Sequence, residues 1–150
     1  MSIKEQLKKD LTEAIRGRDE ITSGTIRMIL TAITNEEVAG KEARVLSDEE
    51  VITVLSREAK KRREAAEAFE TAGRADKSAL EKSEGEVIAK YLPAQLSEAD
   101  IAAIIADAIA STGAKGPADM GKVMGAIKPK IAGKADGGVV SALVKAALNK

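Results

Sequence analysis

The chain has 150 residues with 24 basic and 24 acidic side chains, so no net charge draws it to polyanions or membranes. It has no Cys, which excludes disulfides and thiolate metal sites, and no His, which removes the commonest metal ligand and general base. Hydrophobic residues reach 44%, but with one Phe, one Tyr and no Trp the core must be built from Ile, Leu, Val, Met and Ala, a set that suits close helix packing.

Helix starts are legible in chain order. Ser2-Ile3-Lys4-Glu5 is a capping box, in which a hydroxyl and a carboxylate each satisfy a free backbone N–H. Ile3, Leu7, Leu11 and Ile15 follow at four-residue spacing as one apolar stripe that ends near Gly17. Asp19 caps a second helix running to about Val38. Its apolar residues Ile21, Ile26, Met28, Ile29, Leu30, Ala32 and Ile33 wrap most of the circumference and mark it as central. Gly40 to Leu46 reads as a loop. Ser47-Asp48-Glu49-Glu50 is a second capping box, opening a long helix to Ala72 with Gly73 as its stop. Asp76 starts a fourth helix carrying Leu80, Val87, Ile88, Tyr91 and Leu92, and Pro93 ends it.

Pro93-Ala94-Gln95-Leu96 reads as a boundary between an N-terminal helical domain, residues 1–92, and a C-terminal domain, residues 97–150. Ser97 caps a helix with Ile101, Ile104, Ile105, Ala108 and Ile109, closed by Gly113. The next helix runs from Pro117 to Ile131, and Asp136 caps the last, with Val139, Val140, Leu143, Val144, Ala147 and Leu148. Charge shifts at the boundary: residues 1–92 hold 17 basic and 19 acidic side chains, residues 93–150 hold 7 and 5. No strand pattern competes, so the fold class is all-α. No stretch approaches the roughly 20 apolar residues of a membrane span. Met1 to Gln6 lacks the apolar core of a secretory signal, so the expected location is cytoplasmic.

Three features invite a chemical reading. Gly116-Pro117-Ala118-Asp119-Met120-Gly121-Lys122-Val123 nearly spells a phosphate-binding P-loop, but Val123 stands where the magnesium-binding hydroxyl belongs. A helix and a turn precede it, where the motif needs a strand. The same stretch read as a surface is more informative. Met120, Val123, Met124, Ile127 and Ile131 form one core-facing stripe, with Gly121, Lys122, Gly125 and Pro129 opposite and Lys128 and Lys130 flanking the stripe. Lys115 and Lys134 lie just beyond the ends, giving five lysines against one acid between 115 and 134. A basic face with its backbone barely covered suits close approach of a phosphate backbone. It equally suits glycines that admit another helix, with solvated lysines around them.

The third feature lies in the long helix, where Arg57, Lys60, Lys61 and Arg63 point outward among Glu64, Glu67 and Glu70 as a solvated face. Glu58 and Arg62 instead share the side of Val51, Val54, Leu55, Ala65 and Phe69, at the favourable i,i+4 spacing of an inward ion pair. No glycine- and serine-rich nucleophile loop is present, and the carboxylates lie on regular helix surfaces without the setting that tunes an acid and a base apart. No catalytic residue, cofactor or metal site is expected.

Several strings resemble the GatB/YqeY family: Ile26-Arg27-Met28-Ile29-Leu30-Thr31-Ala32-Ile33, Leu46 to Val51, Lys60 to Glu64 with Phe69, and Tyr91-Leu92-Pro93 followed by Gln95-Leu96-Ser97. Asp119 to Gly125 and Gly133-Lys134-Ala135-Asp136-Gly137 are similar to the C-terminal motifs of that family. The match is collinear over essentially the whole chain and points to the free-standing YqeY-like branch. Thr22-Ser23-Gly24-Thr25 is more polar than the family pattern. The resemblance implies a helical N-terminal lobe and a compact three-helix C-terminal lobe, akin to the tail of the tRNA-dependent amidotransferase B subunit, which helps hold tRNA while catalysis happens elsewhere. The expected function is therefore a tRNA-binding accessory protein acting through Lys115, Lys122, Lys128, Lys130, Lys134, Gly121 and Gly125, with no DNA or membrane partner. A helical protein–protein adaptor for an amidotransferase or aminoacyl-tRNA synthetase is the alternative. Glutamine-dependent carbon–nitrogen ligase activity enters through the resemblance alone.

Overall fold

The computed structural model describes residues 1–149, and among them only helices occur as regular elements. These are α1 (Ile3–Arg16), α2 (Glu20–Glu37), α3 (Asp48–Thr71), α4 (Ala75–Ala89), α5 (Glu98–Thr112), a 3₁₀ turn (Pro117–Asp119), α6 (Met120–Ile131) and α7 (Gly137–Leu148). The chain divides into two compact units, Met1–Leu92 and Pro93–Lys150. Lys150, the last residue of the expected C-terminal domain, lies outside the described residues.

The first unit is a four-helix assembly in which α2 packs against α1, α3 and α4. Both capping boxes form: Ser2 and Ser47 hydroxyls accept from the Glu5 and Glu50 N–H groups, and those carboxylates accept in return from the serine N–H groups. The core joins Leu7, Ile26, Ile29, Ile33, Leu46, Val51, Val54, Leu55 and Ile88. Not every apolar residue read as core is inside. On α1, four-residue steps advance about 40° beyond a full turn, so by Ile15 the stripe has rotated roughly 120° from Ile3. Ile15 is half exposed and Ala14 is buried in its stead. Ile21 and Met28 on α2 and Leu80 on α4 are also exposed. Helix α4 starts one residue before the expected Asp76. Arg74 sits at its N-cap without a side-chain cap bond, and its guanidinium bonds Asp76 instead.

Two carboxylate clusters tie these helices together. Glu37, at the last turn of α2, is buried. Its Oε1 meets Lys4 Nζ of α1 at 2.5 Å, and its Oε2 accepts the Leu46 N–H at 3.1 Å. One side chain thus holds α1, the end of α2 and the loop into α3, and the Lys4 hydrogen bond, helped by the Leu46 N–H, holds its carboxyl below the ordinary value.

The second cluster centres on Arg62. The expected pair with Glu58 is present at 3.7 Å, both side chains being only 13–14% exposed, but it is one edge of a larger arrangement. Arg62 Nε lies 3.0 Å from Glu84 Oε2 and 3.7 Å from Glu81 Oε2, both on α4. Its Nη2 donates to Met28 Sδ on α2, while Glu58 Oε1 pairs with Lys61 at 2.9 Å. Three carboxylates therefore share one guanidinium, and neither Arg62 Nε nor Glu81 Oε2 has an aligned hydrogen bond. Burial, reinforced by the charge of Glu81, pushes Glu84 above the ordinary carboxylate value despite the pull of Arg62.

The second unit packs α6 against both α5 and α7. Its core is Ile101, Ile105, Ala108, Val123, Ile127, Ile131, Val140, Val144 and Leu148. Ser97 forms a third capping box with Asp100, and Asp136 accepts from the Gly138 and Val139 N–H groups at the start of α7. Val139 is exposed while Val140 is fully buried, so the inner stripe of α7 runs through Val140, Val144 and Leu148. The stretch after Pro93 belongs to this unit: the Leu96 N–H donates to the Lys134 carbonyl, and the Gln95 amide donates to the Pro93 and Gly133 carbonyls.

The two carboxylate shifts give opposite pH signatures. A lowered Glu37 contributes stability above the ordinary value of 4.5 and loses it as pH falls through its folded value. A raised Glu84 weakens the fold as pH rises from the ordinary value through its higher folded one. In thermal melts from pH 3 to 7, roughly the range over which carboxylates titrate, Glu37→Gln should fall progressively behind wild type as pH rises, whereas Glu84→Gln should gain on it. Arg62→Ala leaves three carboxylates facing one another and should cost about 2–3 kcal/mol in urea unfolding. Adding Glu84→Gln to that variant should recover part of the loss, and full additivity would show that the two side chains do not interact.

Candidate nucleic-acid interface

The segment from Lys115 to Lys134 is shaped by one carboxylate and one proline. Asp119 was expected inside a helix running from Pro117, but the chain makes a 3₁₀ turn there and α6 begins at Met120. Asp119 Oδ2 accepts the Lys115 N–H at 2.9 Å, which holds its carboxyl below the usual range. Lys122 Nζ lies 3.8 Å from the other oxygen. The P-loop-like string thus closes on its own acid: the turn that would cradle a phosphate holds a carboxylate instead.

From Met120 onward the helix is strongly two-sided. Val123, Ile127 and Ile131 are buried, with Met120 and Met124 packed against the same core. Gly121, Lys122, Gly125, Lys128, Pro129 and Lys130 are all exposed. A Cβ built on Gly121 or Gly125 would meet no atom within 4 Å, so neither glycine admits another helix of this chain. Pro129 lies within the helix and has no N–H, so the Gly125 carbonyl lacks its i+4 donor. Residues 120–131 include no acid, and no described carboxylate lies within 4.0 Å of the Lys128 or Lys130 ammonium as an ion pair.

The two outlying lysines sit on pinned backbone. Lys115 is held by Asp119, and the Lys134 N–H donates to the Ile131 carbonyl while its own carbonyl takes the Leu96 N–H. Gly133 makes the turn between α6 and Lys134 at φ 72°, a region costly for any residue with a Cβ. Lys122, Lys128 and Lys130 thus share α6, with Lys115 and Lys134 on the turns at either end. Helix α5, by contrast, carries Glu98, Asp100 and Asp107 and no basic residue. Sequence reasoning did not find the Asp119–Lys115 clamp; an aspartate four residues after Lys115, just past Gly116-Pro117, is its only local signal. Open space beside the two glycines gives a stability test. Gly121→Ala and Gly125→Ala should each raise stability by about 0.5–1 kcal/mol through helix propensity, and a loss in either would reveal a contact that the bare face does not have.

A family model described as Yqey-like protein matches residues 4–148. Altered inheritance of mitochondria protein 41, mitochondrial, of Candida glabrata is 33% identical over 86 residues, 57% of this chain and 47% of that protein. Its namesake in Clavispora lusitaniae is 34% identical over 86 residues, covering 57% and 49%. An uncharacterised protein of Schizosaccharomyces pombe is 30% identical over 92 residues, 61% of this chain and 72% of that one. The aligned parts cover about half of the two mitochondrial proteins. With a family model matched over nearly its full length, the chain belongs to the YqeY-like family.

Proposed function

We propose that this protein is an RNA-binding accessory factor whose C-terminal unit holds tRNA through the outer face of α6. The observation that carries this reading is the coincidence of exposed Lys122, Lys128 and Lys130 with two glycines whose missing side chains face open space. A glycine in mid-helix costs about 1 kcal/mol relative to alanine. Two on an uncovered face, where no neighbour in the chain needs them, suit a partner that must approach the backbone. Lysines on that partner's flanks would neutralise phosphates and release counterions. The unit from Pro93 onward contains no aromatic residue, so bases have nothing to stack on and recognition rests on backbone and shape. The resemblance to the amidotransferase tail gives the same partner class. Nothing in this reading requires catalysis by the chain itself.

A second reading, an adaptor for a protein partner such as an amidotransferase or synthetase, is favoured by one other feature. An open groove of about 380 Å³ runs between α5 and α7, lined by Ala102, Ile105, Ala106, Ile109, Leu143 and Ala146, and small apolar walls of this kind take an amphipathic helix.

Binding of unfractionated tRNA to the full chain, measured against salt, separates the two. Affinity should fall steeply with salt, and Lys122→Ala, Lys128→Ala and Lys130→Ala should each flatten the log–log slope by about one unit or less. Gly121→Leu should weaken binding while leaving that slope unchanged, because it covers the backbone without removing charge. Absence of salt-dependent binding at low ionic strength overturns the RNA reading and leaves the adaptor.

A further inference from the structure

The outer face of α6 offers more than charge. Gly121, Gly125 and Pro129 recur every four residues, so they form one strip, about 12 Å long at the rise of a helix. Lys128 and Lys122 project from its two sides, about 9 Å apart along the axis. The strip is apolar in composition but not in chemistry. Pro129 removes the donor that would have occupied the Gly125 carbonyl, leaving that oxygen without its i+4 partner. Gly125 has no side chain to shield the oxygen, and the space where its Cβ would stand is open. The face therefore presents a hydrogen-bond acceptor at backbone level, set between two lysines.

A phosphate oxygen cannot answer such an acceptor, because it has no proton to give. Among the groups that line a nucleic-acid backbone, the ribose 2′-hydroxyl is the donor, and A-form RNA displays it along a wide, shallow minor groove that a smooth helix face can reach. B-form DNA has no such hydroxyl. Resting on the reading of α6 as an RNA-binding face, we infer that the Gly125 carbonyl accepts a hydrogen bond from a ribose 2′-hydroxyl. The bare strip thereby selects A-form RNA over DNA, while Lys122 and Lys128 engage phosphates on either side. The lysines set how strongly any polyanion binds, and the carbonyl sets which sugar is preferred.

The test uses the full chain and three short duplexes of one sequence: RNA, 2′-fluoro RNA, which keeps the A-form but cannot donate from the 2′ position, and DNA. Wild type should bind RNA about five-fold more tightly than the 2′-fluoro duplex, the factor that one net hydrogen bond carries. Pro129→Ala restores an N–H to the Gly125 carbonyl and keeps every lysine. It should bring the two A-form duplexes together while retaining the salt slope. Circular dichroism checks the fold of this variant, which a helix-favouring substitution should strengthen. Equal wild-type affinity for RNA and 2′-fluoro RNA, or a preference that survives Pro129→Ala, overturns this inference and leaves salt-dependent binding standing. Absence of salt-dependent binding to any duplex overturns the RNA reading itself.

Discussion

Arg62 is the polar junction at which helix α4 meets its neighbours. The buried side chains of α4 are Ser78, Val87 and Ile88, and Leu80 faces outward, so the hydrophobic contribution is concentrated in its last turns. Along the middle of the helix, Arg62 of α3 reaches Glu81 and Glu84, and through Met28 it also touches α2. A guanidinium suits this junction because its fork of donors can serve several acceptors from one fixed plane, which an ammonium cannot do. The cluster is nonetheless overloaded with negative charge, and the raised Glu84 is its symptom. Such an arrangement fixes the register of α4 on α3 without adding much net stability. Tyr91 then ties the exit of α4 back to α1, its hydroxyl donating to Asp10 at 2.5 Å.

The second unit is built on the opposite plan. Its core is carbon throughout, and its polar groups are spent on turns and caps. Helix α6 shows why this is needed. Two exposed glycines and an internal proline together disfavour a twelve-residue helix by roughly 5 kcal/mol against an alanine reference. Val123, Ile127 and Ile131, each worth about 1.5–3 kcal/mol when buried, offset that deficit. The helix therefore exists because its inner face is packed, and this leaves its outer face free to carry residues chosen for something other than helix formation.

How much of this was readable beforehand follows from which forces are local. Caps at Ser2, Asp19, Ser47, Ser97 and Asp136 were legible because a cap is settled within four residues. The core stripe of α6 and its bare outer face were legible because helical periodicity alone sorts them. The inward turn of Arg62 was visible on its own helix, but its partners Glu81 and Glu84 lie on another, and no spacing rule connects them. Glu37 was hidden for the same reason: a carboxylate at a helix end reads as solvated until Lys4 and the Leu46 amide arrive from elsewhere. Ile21 and Met28 belong to the apolar set that wraps most of α2, yet both are exposed, because burial depends on whether a neighbouring helix covers a position and not on the residue alone. Of the polar run in α2, Ser23 and Thr25 are buried, and the Thr25 hydroxyl finds no partner.

The separation of charge between α5 and α6 bears on kinetics as well as affinity. With only acids on one helix and only lysines on the other, the C-terminal unit is an electric dipole within a chain of zero net charge. If the proposed RNA partner binds there, this dipole would exert a torque on the unit before contact and favour a lysine-side approach. Only within about a Debye length, near 8 Å at physiological ionic strength, does that orientation act. A protein that is globally neutral can in this way avoid indiscriminate capture by acidic surfaces and still raise the productive fraction of close collisions.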